Sequence, residues 1–296
     1  MERFEEIVSG VYLLRAPFST IWSAVYLVRG EKNVLIDTCT GKELVEGCII
    51  PALAELGLAP GDVDYLVNTH AHGDHAGGNS CFIEHSGCRL ASFDTCVDKL
   101  RNPLKYNRAT RVVYPEYSPK PAEYLPSLEP DLVLHEGDML GDRLKVYTAP
   151  GHDTECLLIH DLPTNTLITG DSLQGFGMLG CDGAGVAFYK DLAGYRSTVE
   201  KAAALDPDNI IAGHDFSPVG CLARGKKEVK VFLDNCRQAM AIYDCLVRRL
   251  LDAGVTDMAA IARSVLHSIG AEEPPYLFQT MYTVNEHVKE IQAEKA

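Results

Sequence analysis

The sequence predicts a mixed α/β protein with a sheet-rich front, alternating strands and helices through its middle, and a helical tail. Three observations support this. Short runs of β-branched and aromatic residues separated by glycines fill the first forty positions. Period-2 and period-3.6 patterns then alternate as far as residue 222. From 226 onward apolar residues recur only at helical spacing.

Residues 11–14, 24–28 and 33–37 read as strands punctuated by Gly10, Gly30 and Gly41, which predicts an antiparallel meander. Leu44, Cys48, Ile49, Leu53 and Leu56 share one helical face, Gly57 ends it, and Pro51 must kink or interrupt it. A short buried strand follows at 65–68. Further strand-like runs lie at 88–91, 131–134, 144–148, 156–160 and 166–169, with a helix at 191–204 and a last strand at 209–212. Residues 101–130 are rich in proline and tyrosine and show no sustained period, so they predict an irregular loop and a candidate lid. In the tail, Val229, Phe232, Leu233, Cys236, Met240, Tyr243, Val247 and Leu250 form one stripe ended by Gly254. Thr256 is placed to cap a second helix, and Pro274-Pro275 introduces a third. The predicted division is a domain over 1–222 and a helical extension over 223–296.

Composition excludes several classes. Among 296 residues, 27 are Lys or Arg and 41 are Asp or Glu, a formal charge of −14. The tail holds ten of each sign, so the whole excess sits in 1–222. A surface this acidic repels phosphate backbones, and nucleic acid is not an expected partner. No apolar run reaches the roughly 18–20 residues of a membrane span, and no export signal opens the chain, so a cytoplasmic location is expected. Ten cysteines without a Cys-x-x-Cys pair read as buried, reduced thiols. Cys181 and Cys221, shortly after Asp171 and His214, are included in that reading.

The chemistry concentrates at strand exits. His70-x-His72-x-Asp74-His75 places three imidazoles and a carboxylate within six residues directly after a strand. Such a sulfur-free set suits a Lewis-acidic ion, one or two of them. Three further segments repeat the device of strand, glycine, then one donor: Gly151-His152, Gly170-Asp171 and Gly213-His214. If two ions sit there, a water shared between them would have its pKa lowered toward neutrality and supply a hydroxide nucleophile, which Asp74 would be placed to orient while shuttling a proton. Histidines 85, 135, 160, 267 and 287 lack this context and read as surface or core residues.

At these seven donors the chain resembles the metallo-β-lactamase superfamily over roughly 1–222. The resemblance implies an αββα sandwich with metals at one edge of its two sheets. It assigns His70, His72 and His152 to a first divalent cation and Asp74, His75 and His214 to a second. Asp171 would bridge them, and Asp37 would brace the metal loop. Zinc is the implied ion, with iron and manganese as alternatives. A carboxylate at Asp171 resembles the glyoxalase II, lactonase and RNA-processing branches. β-Lactam hydrolases typically carry cysteine, serine or histidine there, so antibiotic hydrolysis is not expected. Gln174 stands near where some lactonases carry a substrate-binding tyrosine. The tail is similar to the C-terminal extension of a branch that includes an endoribonuclease-like group.

The expectation is therefore a binuclear hydrolase of a small-molecule ester, thioester or lactone, with phosphodiester or RNA cleavage as the alternative. Lys99, Arg101, Lys105, Arg108 and Arg111 run without an intervening acid and are a candidate anion site. Lys105, Tyr106, Arg108, Gln174 and Phe176 are accordingly candidate substrate contacts, and Trp22 and Met178 fall near expected pocket loops. The tail's apolar stripes suit either packing on the domain or a homodimer interface.

Overall fold

The computed structural model describes residues 2–178 and 185–296, so Cys181 lies outside the described residues. The first sheet has seven strands: β1 (Glu5–Val8), β2 (Val11–Phe18), β3 (Ile21–Val28), β4 (Val34–Ile36), β5 (Tyr65–Val67), β6 (Arg89–Phe93) and β7 (Leu132–Leu134). They lie side by side in chain order, β1 to β4 antiparallel and β4 to β7 parallel. The expected meander is the antiparallel half. The second sheet holds β8 (Met139–Leu140), β9 (Leu144–Thr148), β10 (Leu157–Asp161), β11 (Thr166–Gly170), β12 (Asn209–Ala212) and β13 (Leu222–Arg224), in the order β13-β12-β11-β10-β9-β8. β11 and β12 are parallel; the other pairs are antiparallel.

Helices cover both outer faces. The connections of the first sheet supply α1 (Lys42–Leu44), a π-helical turn (Val45–Ile49), α2 (Ile50–Glu55), α3 (Gly73–Ala76), α4 (Asn79–Ser86), α5 (Val97–Arg101) and α6 (Pro103–Val112). α7 (Leu192–Ala204), α8 (Gly225–Asp252), α9 (Met258–Ile269) and α10 (Phe278–Glu294) belong to the second half.

Strand alternation sets the layers. Leu13, Tyr26 and Ile36 of the first sheet meet Val146, Ile159 and Ile168 of the second in the central core. The opposite faces carry Leu14, Val25 and Leu35 against Val45, Ile49, Leu53 and Phe82. They likewise carry Leu158, Leu167 and Ile210 against Tyr195, Phe232, Tyr243, Val265 and Val284. The result is an αββα sandwich, and the tail helices pack into the same core as the outer face of the second sheet.

Pro51 interrupts its helix in a specific way. It offers no N–H to the turn before it, and the helix widens there into the π turn 45–49. Two expectations are corrected. Residues 101–130 are not wholly irregular, because Pro103 starts a regular helix that runs to Val112. The cap of α9 is Asp257 rather than Thr256: its side chain accepts from the Ala260 N–H at 2.8 Å.

Candidate metal centre

The seven donors converge at one edge of the sandwich. His70 and His72 follow β5, Asp74 and His75 lie on α3, His152 follows β9, Asp171 follows β11 and His214 follows β12. Both sheets contribute, and in the sequence the four donor segments are tied only by chemistry. Gly213 is required here, because a Cβ at that position would meet Asp171 Oδ1 at 2.3 Å.

The donors fall into groups whose ligand atoms lie within 4.8 Å of one another: His70, His72 and His152; Asp74, His75 and His214; and His70, His75 and Asp171. His72 Nδ1 is 3.0 Å from His152 Nε2, and His75 Nε2 is 3.3 Å from His214 Nε2. Asp171 stands between the groups, 3.6 Å from His75 Nε2, 3.7 Å from His152 Nε2 and 3.4 Å from His214 Nε2.

A ring of oxygens fixes each imidazole. His75 Nδ1 donates to Asp37 Oδ2 at 2.8 Å, His152 Nδ1 to the Phe188 carbonyl at 2.8 Å and His214 Nδ1 to the Trp22 carbonyl at 2.6 Å. His72 Nε2 donates to Asp153 at 3.3 Å, and His70 Nδ1 donates at 3.2 Å to Thr69, whose hydroxyl in turn donates to Asp37 at 2.7 Å. With each outer nitrogen committed to an oxygen, the inner nitrogens are the atoms that face the centre, placed to bind a cation in place of a proton. His70 Nε2 and Asp171 Oδ1 are buried without any hydrogen-bond partner. Converging lone pairs and orphaned buried acceptors are costly unless a cation meets them, so this nitrogen and oxygen set fits divalent metal.

The electrostatics divide the cluster. Burial, reinforced by neighbouring imidazoles, holds His70 well below its ordinary value and takes His152 down to about 3. Burial also opposes charge on His75 and His214, but Asp74 and Asp171 outweigh it, raising His75 to about 9 and His214 well above the usual range. Burial disfavours the charged forms of Asp74 and Asp171 too, and the surrounding imidazoles still keep both below the ordinary carboxylate range.

Several neighbours carried no signal in the sequence. Asp153 binds His72 and is itself held by Lys99 at 2.5 Å and by Lys190. Lys99 also pairs with the buried Glu155. These contacts join positions up to 81 residues apart, and only Lys99 stood out beforehand.

The candidate substrate contacts separate. Gln174 is buried inside the scaffold, where it donates to the Asp171 carbonyl at 3.0 Å and accepts from the Phe188 N–H at 2.7 Å. Phe176 packs on the tail core, and its carbonyl accepts from Tyr243 at 3.1 Å. The basic run is largely spent on neighbours: Arg101 on Glu129, Lys105 and Tyr106 on Asp98, and Arg111 over the Phe278 ring. Arg108 is exposed on α6. Beside His214, Ile21, Trp22, Met178, Asp215, Phe216 and Pro218 line a cavity of about 450 Å³. Cys221 is buried near Arg15, as a packing thiol. Among the described residues no helix is long and apolar enough to cross a membrane.

Comparison with known proteins agrees with the geometry. Residues 23–214 match the sequence profile of the Metallo-beta-lactamase superfamily. The chain is 25% identical to a Beta-lactamase-like protein 2 homolog of Drosophila melanogaster over 276 residues, covering 90% of this chain and 80% of the relative. It is 24% identical to a probable metallo-hydrolase of Bacillus subtilis, covering 95% and 91%. Among solved structures, a metallo-beta-lactamase family protein from Thermus thermophilus superposes with a TM-score of 0.74 at 22% identity, over 97% of this chain and 95% of that one. With this fold and a profile spanning most of its length, the chain belongs to the metallo-beta-lactamase superfamily.

Proposed function

We propose that this chain is a binuclear metal-dependent hydrolase that cleaves an ester, thioester or lactone of a small molecule. The observation that carries this is the position of Asp171, whose carboxylate lies within 3.7 Å of His75, His152 and His214 and so can be shared by two donor groups. His70, His72 and His152 would hold one cation and Asp74, His75 and His214 the other. Zinc suits these donors, as do iron and manganese. Two such cations, when bound, would acidify a water and polarise a scissile carbonyl.

The remaining work belongs to the protein. Asp74 and His72 are the partly exposed ligands, with side chains 20% and 29% accessible, so they mark the open side where substrate arrives. Asp74 Oδ2 sits 3.2 Å from His214 Nε2 and accepts from Ser23 Oγ at 3.4 Å. That carboxylate orients the attacking water and takes its proton. The neighbouring cavity falls within the ordinary range for small ligands. Among the described residues the charged group on its wall is Asp215, an acid that disfavours the anionic arm of a phosphodiester.

Metal content of natively purified protein, paired with assays on thioesters, lactones, aryl esters and a bis-aryl phosphodiester, tests the proposal. Two ions per chain and turnover of carbonyl esters are expected. Turnover of the phosphodiester alone would transfer the assignment to the alternative chemistry. Asp171→Ala should abolish turnover while leaving the circular dichroism spectrum unchanged; undiminished turnover would refute the shared-carboxylate role.

A further inference from the structure

A second group of dissimilar donors lies on the outer helical layer. Cys81 and His85 are four residues apart on α4 and therefore share a face. That face meets the π turn 45–49, which presents Glu46 toward it: Glu46 Oε1 lies 3.0 Å from His85 Nε2. The ligand atoms of Glu46, Cys81 and His85 all fall within 4.8 Å of one another. Donors around a tetrahedral zinc are roughly 3.3–3.8 Å apart, given its usual bond lengths. All three side chains are at least partly exposed, so small rotamer changes close the remaining gap.

We propose that Glu46, Cys81 and His85 form a third metal site, taking a thiophilic divalent cation of the zinc class with water in the fourth position. The donor chemistry differs from that of the main centre. A thiolate with an imidazole selects zinc or cadmium over magnesium and calcium, whereas the main centre is free of sulfur. Binding releases the thiol proton of Cys81 to solvent as the sulfur–metal bond forms. It displaces Lys42, whose exposed pairing with Glu46 at 3.6 Å is worth little. An ion here would pin α4 to the π turn. α4 in turn touches the segment carrying Asp37 and Thr38, since Thr38 Oγ1 donates to Asn79 at the start of that helix at 2.7 Å.

Cadmium titration of chelator-stripped, reduced full-length protein tests the site through the thiolate-to-cadmium absorption band. The wild type should take three ions and develop the band. Cys81→Ser should remove the band and one ion while leaving ester turnover unchanged, and His85→Ala should weaken that ion's binding at least tenfold. His70→Ala with His152→Ala should release the ion that those two imidazoles help to hold and keep the band, so the two assignments fail separately. An identical band and stoichiometry in wild type and Cys81→Ser, or no band at all, would overturn the proposal.

Discussion

Asp37 shows how much one side chain organises. Its backbone is left-handed, with φ of 64°, a conformation that aspartate and asparagine tolerate better than most residues. One oxygen accepts from the Thr69 N–H at 2.8 Å, and the other from the Thr69 hydroxyl and from His75. Asp37→Asn keeps the backbone preference and the volume but puts an NH2 where one acceptor was needed. Metal affinity, measured by competition with a chromophoric chelator, should fall about ten- to a hundredfold, with the fold retained. At this scale the sequence was most legible where chemistry is local. Four donors sit within six residues, and the other three each follow a strand and a glycine. Asp153, Glu155, Lys190 and Gln174 were not legible in these roles, because their partners come from distant segments and their residue types alone are ordinary.

The segment 187–190 illustrates what an element gains from its neighbours. Its Phe188 carbonyl holds His152, and its Lys190 holds Asp153. α10 holds the segment in turn: Thr283 Oγ1 accepts from the Tyr189 N–H at 3.2 Å and donates to the Ala187 carbonyl at 3.0 Å, and the Tyr189 hydroxyl meets His287 Nε2 at 2.6 Å. Tyr243 of α8 accepts from the Ala187 N–H at 3.2 Å. Thr283→Val should therefore do more than cost the usual ~1–3 kcal/mol for an orphaned buried polar group. It should weaken binding of the cation held by His152 and lower kcat more than it raises KM, with Thr283→Ser restoring both; equal cation affinity in the valine variant would make the contact merely structural. The three tail helices were readable from periodicity, since amphipathic stripes are written into the chain. The short edge strands β1, β8 and β13 were not, because two to four residues leave no period to detect. α6 was hidden by the prolines around it, one of which begins the helix.

Over the whole molecule, stability carries a pH signature through His287. Burial against Tyr189 and Tyr243 pushes its imidazole down to about 4. Asp244 and Glu290 pull the other way, and Arg196 and Arg248 reinforce the depression. In the unfolded chain the group titrates near 6.5, so below that pH the unfolded state binds a proton that the folded state refuses. Its contribution is present above about pH 6.5 and is lost as pH falls toward 4, on the order of 3 kcal/mol. Urea midpoints at pH 7 and pH 4.5 should differ less in His287→Gln than in the wild type; equal differences would remove His287 from the account. The layered fold itself was foreseeable, while the merging of the tail with the outer core of the second sheet was not, because periodicity gives a face and not its partner. The division of ligands between the sheets has a last consequence. His70, His72, Asp74 and His75 arrive with one half of the sandwich, and His152, Asp171 and His214 with the other. A cation held by both halves would act as a clasp across the chain, and the free-ion level of the medium would become a thermodynamic variable of folding. Melting temperatures taken in chelating and non-chelating buffers would then describe two different equilibria of one polypeptide.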